Sequence, residues 1–274
     1  MKNILVPTDF SPASRNAARY AVAFAESMDA TVILVNVVAP SVIIDDSVLA
    51  SVMITQAELL ADARQMMQQE IDALSKEFSV DVTGIVNEGY ASDMILELAK
   101  LKGAQLIVMG MKGKGKSHSL FGSTTTTIIR KSPDPVFVIP EQAAYTPIAN
   151  ITLASDFDAS IQISRYNVLL AIAEKFNSRI HILNVQKNGY SLSQDEVIGK
   201  MEANIAFSKH NHQFQTISEH KVEEGIQKFV GEYPTDILVM VARKHNFFER
   251  MFGTLHTKAM SYQTKIPLLV LQHK

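Results

Sequence analysis

The sequence predicts two tandem α/β domains, each a doubly wound, five-stranded parallel sheet. Three observations carry this: the chain repeats itself, each copy alternates strand-like and helix-like segments, and several strand segments are apolar at successive positions. Asn3-Ile4-Leu5-Val6-Pro7-Thr8-Asp9-Phe10 returns as Asn150-Ile151-Thr152-Leu153-Ala154-Ser155-Asp156-Phe157, and Val35-Asn36-Val37 returns as Leu183-Asn184-Val185. Further along, Gln105-Leu106-Ile107-Val108-Met109 matches Asp236-Ile237-Leu238-Val239-Met240, and Phe121-Gly122-Ser123 matches Phe252-Gly253-Thr254. A repeat decides architecture before any site is considered, and 274 residues suit two cores better than one.

The elements of the first copy follow in order. Short apolar runs place strands at Asn3 to Val6, Thr31 to Val37, Asp81 to Asn87, Leu106 to Met109 and Val136 to Ile139. Helical spacing fills the gaps, with a long helix near Thr55 to Phe78 and a shorter one over Thr125 to Lys131. Strands that are apolar on both faces belong in a parallel sheet covered by helices, joined by right-handed crossovers. Ligands of such sheets bind beyond the carboxyl ends of the strands, where the strand order switches. Ala39 to Ser51, with Pro40 and Asp45-Asp46, reads as a connection and a candidate lid for that site. Pro140 to Ala149 holds two prolines and no periodicity, so the linker falls there and divides the chain into domains at 1–143 and 148–274.

The segment Met109-Gly110-Met111-Lys112-Gly113-Lys114-Gly115-Lys116-Ser117, followed by Gly122-Ser123-Thr124, carries the chemistry. Glycines let backbone amides approach phosphate oxygens where a β-carbon would obstruct. A helix opening at Gly122-Ser123-Thr124 would add free amides and a favourable dipole, and Lys112, Lys114 and Lys116 add positive charge. Two patterns fit. Gly110, Gly115, Lys116 and Ser117 satisfy the P-loop spacing, which would set Lys116 on the phosphates and Ser117 on magnesium as an ATPase. The context opposes it: Gly122 interrupts the helix a P-loop should enter at its Lys-Ser pair, and no apolar strand ends in the acidic residue that completes the metal site.

The second pattern resembles that of the universal stress proteins, over nearly the whole chain. Their nucleotide motif is G-x2-G-x9-G-[ST] after the fourth strand, with an aspartate ending the first. Gly110, Gly113, Gly122 and Ser123 occupy the motif and Asp9 matches the aspartate, although eight residues separate Gly113 from Gly122 where the family has nine. The resemblance implies an adenine nucleotide alpha hydrolase-like fold and a stress-response regulator that binds ATP, with ADP or AMP as alternatives and magnesium as an optional companion. It places Pro7, Thr8, Asp9 and Val37 around base and ribose, and Met109 at the approach to the sugar. Gly110, Gly113, Gly122, Ser123 and Thr124 would hold phosphates, helped by the charge of Lys112. It also implies that Val136 to Ile139 pairs with Leu268 to Leu271, making the two halves a pseudo-dimer within one chain and covering both exposed edges.

The second copy serves as an internal control. At the matching offset Gly110 becomes Val241 and Gly113 becomes Lys244, within a bulky segment running to Met251. That half is expected not to bind ATP in the same manner, although Asp156 and Gly253-Thr254 leave a degenerate anion site open. Whether two chains associate into a further homodimer, and which protein is the partner, the sequence leaves open.

Composition narrows the remaining classes. A formal net charge of -2 without long like-charge runs argues against nucleic acid. No apolar stretch is long enough to span a bilayer, and the apolar run of the N-terminus is too short for a signal peptide, so the expected location is cytoplasmic. With no cysteines, thiolate chemistry is absent. His210, His212 and His220 have poor spacing for a metal, and no catalytic triad or HExxH pair appears. Slow ATP hydrolysis stays open, with no residue placed as its general base; a nucleotide-free scaffold or small-ligand carrier is the other alternative. Asp9 has a plainer reading as the cap of the next helix.

Overall fold

The computed structural model describes residues 1–40, 55–112, 121–158, 162–186, 189–242 and 265–272. The first half runs β1 (Asn3–Pro7), α1 (Pro12–Met28), β2 (Thr31–Val38), α2 (Gln56–Glu77), β3 (Val82–Glu88), α3 (Ala91–Leu101), β4 (Leu106–Gly110), α4 (Ser123–Lys131) and β5 (Val136–Ile139). The second runs β6 (Asn150–Ala154), a 3₁₀ turn (Ile163–Tyr166), α5 (Asn167–Phe176), β7 (Arg179–Gln186), α6 (Gln194–Phe207), β8 (His212–Ser218), α7 (Val222–Glu232), β9 (Ile237–Ala242) and β10 (Leu268–Gln272). Of the candidate lid, residues 41–51 lie outside the described residues.

Local chemistry sets these boundaries, and the repeat extends to it. Ser11 caps α1 by accepting from the Ser14 amide, with Pro12 in the first turn where its missing N–H costs nothing. Both α2 and α6 open with a reciprocal capping box, Thr55 with Glu58 and Ser193 with Glu196. Left-handed backbone recurs at matching places, with φ 59° at Phe10 and 55° at Phe157, then 53° at Asp29 and 49° at Asn177.

The described strands join one ten-stranded sheet in the order β3-β2-β1-β4-β5-β10-β9-β6-β7-β8. Neighbours are parallel except at the centre, where β10 pairs antiparallel with β5, Leu269 opposite Phe137 and Leu268 opposite Val138. Phe137, Val138, Leu269 and Val270 are fully buried there. An apolar edge this complete would template aggregation if left open, and the seam removes it from both halves. One face of the sheet is covered by α1, α2, α5 and α6, the other by α3, α4 and α7. The order breaks between β1 and β4 and again between β6 and β9, which creates two switch points.

The connection across 140–149 is packed rather than loose. Asn16 Nδ2 donates to the carbonyls of Pro140 and Ala143 at 2.9 and 3.0 Å. Tyr145 donates to Ser27 Oγ at 2.7 Å and sets its ring edge-on to Tyr20. At its far end Asp236 accepts the amides of Ala149 and Asn150 at 2.9 and 2.7 Å. The segment thereby straps α1 to the start of β6.

The second core holds one titratable group of note. His181 is 4% exposed on β7, beside Phe229 and Tyr233, and Gln213 Nε2 donates to its Nδ1 at 2.7 Å. Burial, and secondarily the Arg179 charge, holds the imidazole below its usual pKa. The folded state therefore prefers the neutral ring, and the unfolded chain binds more protons once the pH falls below about 6.5. We expect stability to decline as the pH drops from there towards the lowered folded value. Urea midpoints measured against pH should lose that part of the slope in His181→Gln.

Candidate functional site

The site is built where β1 and β4 diverge. The Thr8 amide donates to the Val35 carbonyl at 2.8 Å, prolonging the β1–β2 ladder by one rung, and Asn36 Nδ2 grips the Thr8 carbonyl at 2.8 Å. The chain then turns sharply through left-handed Phe10, whose ring is buried. Thr8 Oγ1 accepts the Phe10 amide at 3.0 Å and Asp9 Oδ1 accepts the Ser11 amide at 3.1 Å, so two side chains close successive turns. Ser11, and not Asp9, is the helix cap, which corrects the plainer reading of Asp9. Ser14 Oγ lies 3.2 Å from Thr8 Oγ1 and 3.3 Å from Ser11 Oγ, tying the turn to the helix.

On the β4 side, Gly110 ends the strand against α1. A β-carbon there would sit 2.9 Å from the Ala13 carbonyl oxygen and 3.0 Å from its carbon. The glycine is thus required by helix packing, a reason the phosphate reading of the sequence did not include. Its carbonyl accepts Thr125 Oγ1 at 3.1 Å, and the Gly122 amide returns to the Met111 carbonyl at 2.9 Å. These contacts aim α4 at the cleft. Gly122, in extended conformation, is its N-cap and supplies no side-chain cap, so the first amides of α4 keep no intrahelical acceptor. Arg130 and Lys131 in the last turn complement the dipole at the other end.

The resulting cavity has a volume of about 420 Å³. Ten of the eleven residues singled out in the sequence line it: Pro7, Thr8, Asp9, Val37, Met109, Gly110, Lys112, Gly122, Ser123 and Thr124. The eleventh, Gly113, lies outside the described residues, as do Lys114, Gly115, Lys116 and Ser117 of the P-loop reading. The walls also include Ser14, Val35, Asn36, Ala91, Ile95 and Thr125, which sequence reasoning missed. Asn36 carried a signal: it is a polar residue in an apolar strand and recurs as Asn184. The β2 side of the cavity, with Val35, Val37, Ala91 and Ile95, is apolar; the α4 side presents amides and hydroxyls. Asp9 is the single carboxylate among the described lining residues.

At the second switch point the turn is copied but the wall is not. Ser155 donates to Leu183 at 2.9 Å, Asn184 Nδ2 donates to the Ser155 carbonyl at 2.9 Å, and Ser155 Oγ accepts the Phe157 amide at 3.1 Å. Val241 replaces Gly110, and the first described helical turn after β6 begins only at Ile163. Lys244, Gly253 and Thr254 lie outside the described residues. His212 bonds the His210 carbonyl and Asn204 Oδ1 at 3.0 and 3.1 Å, linking β8 to α6. Among the described residues no group of three His, Asp or Glu is placed to hold a metal. Nor is any helix among them long and apolar enough to cross a membrane.

Comparison with known proteins gives these features a context. The universal stress protein family model matches residues 1–140. A universal stress protein of Methanocaldococcus jannaschii is 33% identical over 139 residues, spanning 50% of this chain and 81% of that protein. One from Mycolicibacterium smegmatis is 29% identical over 159 residues, spanning 56% of this chain and 53% of its own. The crystal structure of a universal stress protein from Archaeoglobus fulgidus superposes with a TM-score of 0.70 at 16% identity, covering 99% of this chain and 96% of the other, a likeness of fold.

The Gly110 contact is directly testable. We expect Gly110→Ala to cost about 1–3 kcal/mol by forcing α1 away from β4, read as a Tm lowered by several degrees. An unchanged Tm would show that the close approach is not a constraint.

Proposed function

The chain belongs to the universal stress protein family, and from that premise we propose that its first half binds an adenine nucleotide as a regulatory ligand. The observation that carries this is the pairing, in one cavity, of an apolar slot with an uncapped helix N-terminus. A purine fits between Val37, Ala91 and Ile95, and the first-turn amides of α4 with Ser123 and Thr124 suit phosphate oxygens. Lys112 adds charge at the same side. ATP is the preferred ligand over ADP or AMP because both an anion site and a cation are provided. Magnesium, which keeps most of its waters and bridges phosphates, would need Asp9 at most.

The remaining assignments belong to the same proposal. Domains at 1–143 and 148–274 form a pseudo-dimer in which the second supplies the edge that completes the first. Nucleotide binding in the cytoplasm alters the surface around the cavity, which a protein partner reads. The P-loop alternative is disfavoured by α4, whose first helical residue is Ser123 after an extended Gly122.

Ser123→Pro tests the anion site selectively. Proline is at home in the first helical position, and Gly122 already holds the extended conformation (φ -64°, ψ 157°) that must precede it. The substitution removes the Ser123 amide donor and its hydroxyl without breaking the helix. By isothermal titration we expect ATP binding to weaken tenfold or more, about the worth of one or two hydrogen bonds to a charged group, at unchanged Tm of the free protein. Absence of heat with both ATP and AMP in the native chain would leave the scaffold alternative in its place.

A further inference from the structure

The helix α6 turns Gly199, Ala203 and Phe207 to the sheet, as a covering helix should. Its opposite face is apolar too: Val197, Ile198, Met201 and Ile205 are 43, 48, 64 and 65% exposed. The counterpart α2, with the same crossover role and the same capping box, shows solvent Asp62, Arg64, Gln65, Gln68, Gln69 and Asp72. Folding of this architecture therefore does not require an apolar outer face. Scattered exposed apolar residues are ordinary, but a continuous stripe marks a surface that another molecule covers.

The spacing of the stripe indicates what covers it. Ile198 and Ile205 are seven apart with Met201 between them, the a and d positions of a heptad. Asp195, Glu202 and Lys209 follow along one flank at the same spacing, Lys209 in the turn just after the helix. Two copies of this helix packed antiparallel about an axis near Met201 and Glu202 bring Asp195 of each beside Lys209 of the other. Two such pairs form, with one Glu202–Glu202 approach at the axis between them, and the helix dipoles oppose favourably. Asp195 and Lys209 have no ion-pair partner among the described residues. The neighbouring charges are already committed: Lys200 lies over the rings of Phe157 and Phe214 at 5.7 and 5.1 Å, and Glu196 accepts from Tyr190 and Ser193.

We propose that α6 is the surface through which two copies of this chain associate, helix against antiparallel helix, independently of the nucleotide site. Four side chains fall well short of the ~800 Å² per partner of a stable interface and belong with weak, transient contacts. The dimer should accordingly fill only at high chain concentration, on the order of 10⁻⁴ M.

Sedimentation velocity of the full chain, from micromolar to near-millimolar, tests this. We expect a monomer that shifts to dimer as concentration rises, and a Met201→Asp chain that stays monomeric with unchanged Tm, since the site is exposed. Asp195→Lys or Lys209→Glu alone should weaken association roughly threefold to tenfold, as each creates two like-charge contacts. The double swap should restore it, a signature only self-pairing produces. A native chain that stays monomeric throughout overturns the proposal, whether or not it floats with phosphatidylglycerol vesicles. So does a dimer indifferent to Met201→Asp, or a double swap no better than the singles.

Discussion

The antiparallel seam between β5 and β10 is the constraint on which the molecule rests. Each of these strands is apolar along its length and would end its own five-stranded sheet with an open row of amides and carbonyls. Pairing them buries both edges and fuses two sheets into one of ten strands. Gln272, at the end of β10, reaches across to donate to the Ile129 carbonyl in α4 at 3.3 Å. The helix whose N-terminus faces the cavity is thus anchored at its far end by the other half of the chain. A packed connection over α1 and the Lys175–Asp29 ion pair tie the halves elsewhere.

Among the described residues the two switch points share their turn and differ in the wall beside it. The turn after β1 and the turn after β6 share their left-handed phenylalanine, their asparagine clamp and their side-chain-closed amide. The difference lies at the end of β4 and β9. Gly110 admits α1 to within contact of the strand, which brings Ser14 into the cavity wall. Val241 carries the β-carbon that such an approach excludes. The close packing of α1 on β4 is the consequence of the missing side chain in the first half.

Much of this was legible in the sequence, for identifiable reasons. Strands apolar at every position, such as Val136 to Ile139, can only be buried on both faces, so the parallel sheets followed from composition and repeat, while the pairing of the last strands followed from the family resemblance. The glycine-rich segment and the Pro7-Thr8-Asp9 turn located the cavity because they interrupt such strands with residues that packing alone does not call for. Ala91 and Ile95 stayed hidden because an apolar residue facing a cleft has the same helical periodicity as one facing a core. Ser14 was hidden inside α1, where only the closed turn above it reveals its role. The packing of the connection over 140–149 was hidden as well, since proline and absent periodicity report irregular backbone and say nothing of the Tyr145 and Ile148 side chains that pack it down.

We propose that the first switch point, with Gly110 in its wall and the open α4 terminus, holds a nucleotide. The most direct measurement is a crystal structure of the full chain grown with ATP and magnesium. A purine lodged against Val37 and Ile95, with phosphates on the Ser123 and Thr124 amides, is the expected result. Clear density for the protein with no ligand at that cleft, or with ligand only beside Val241, would contradict it.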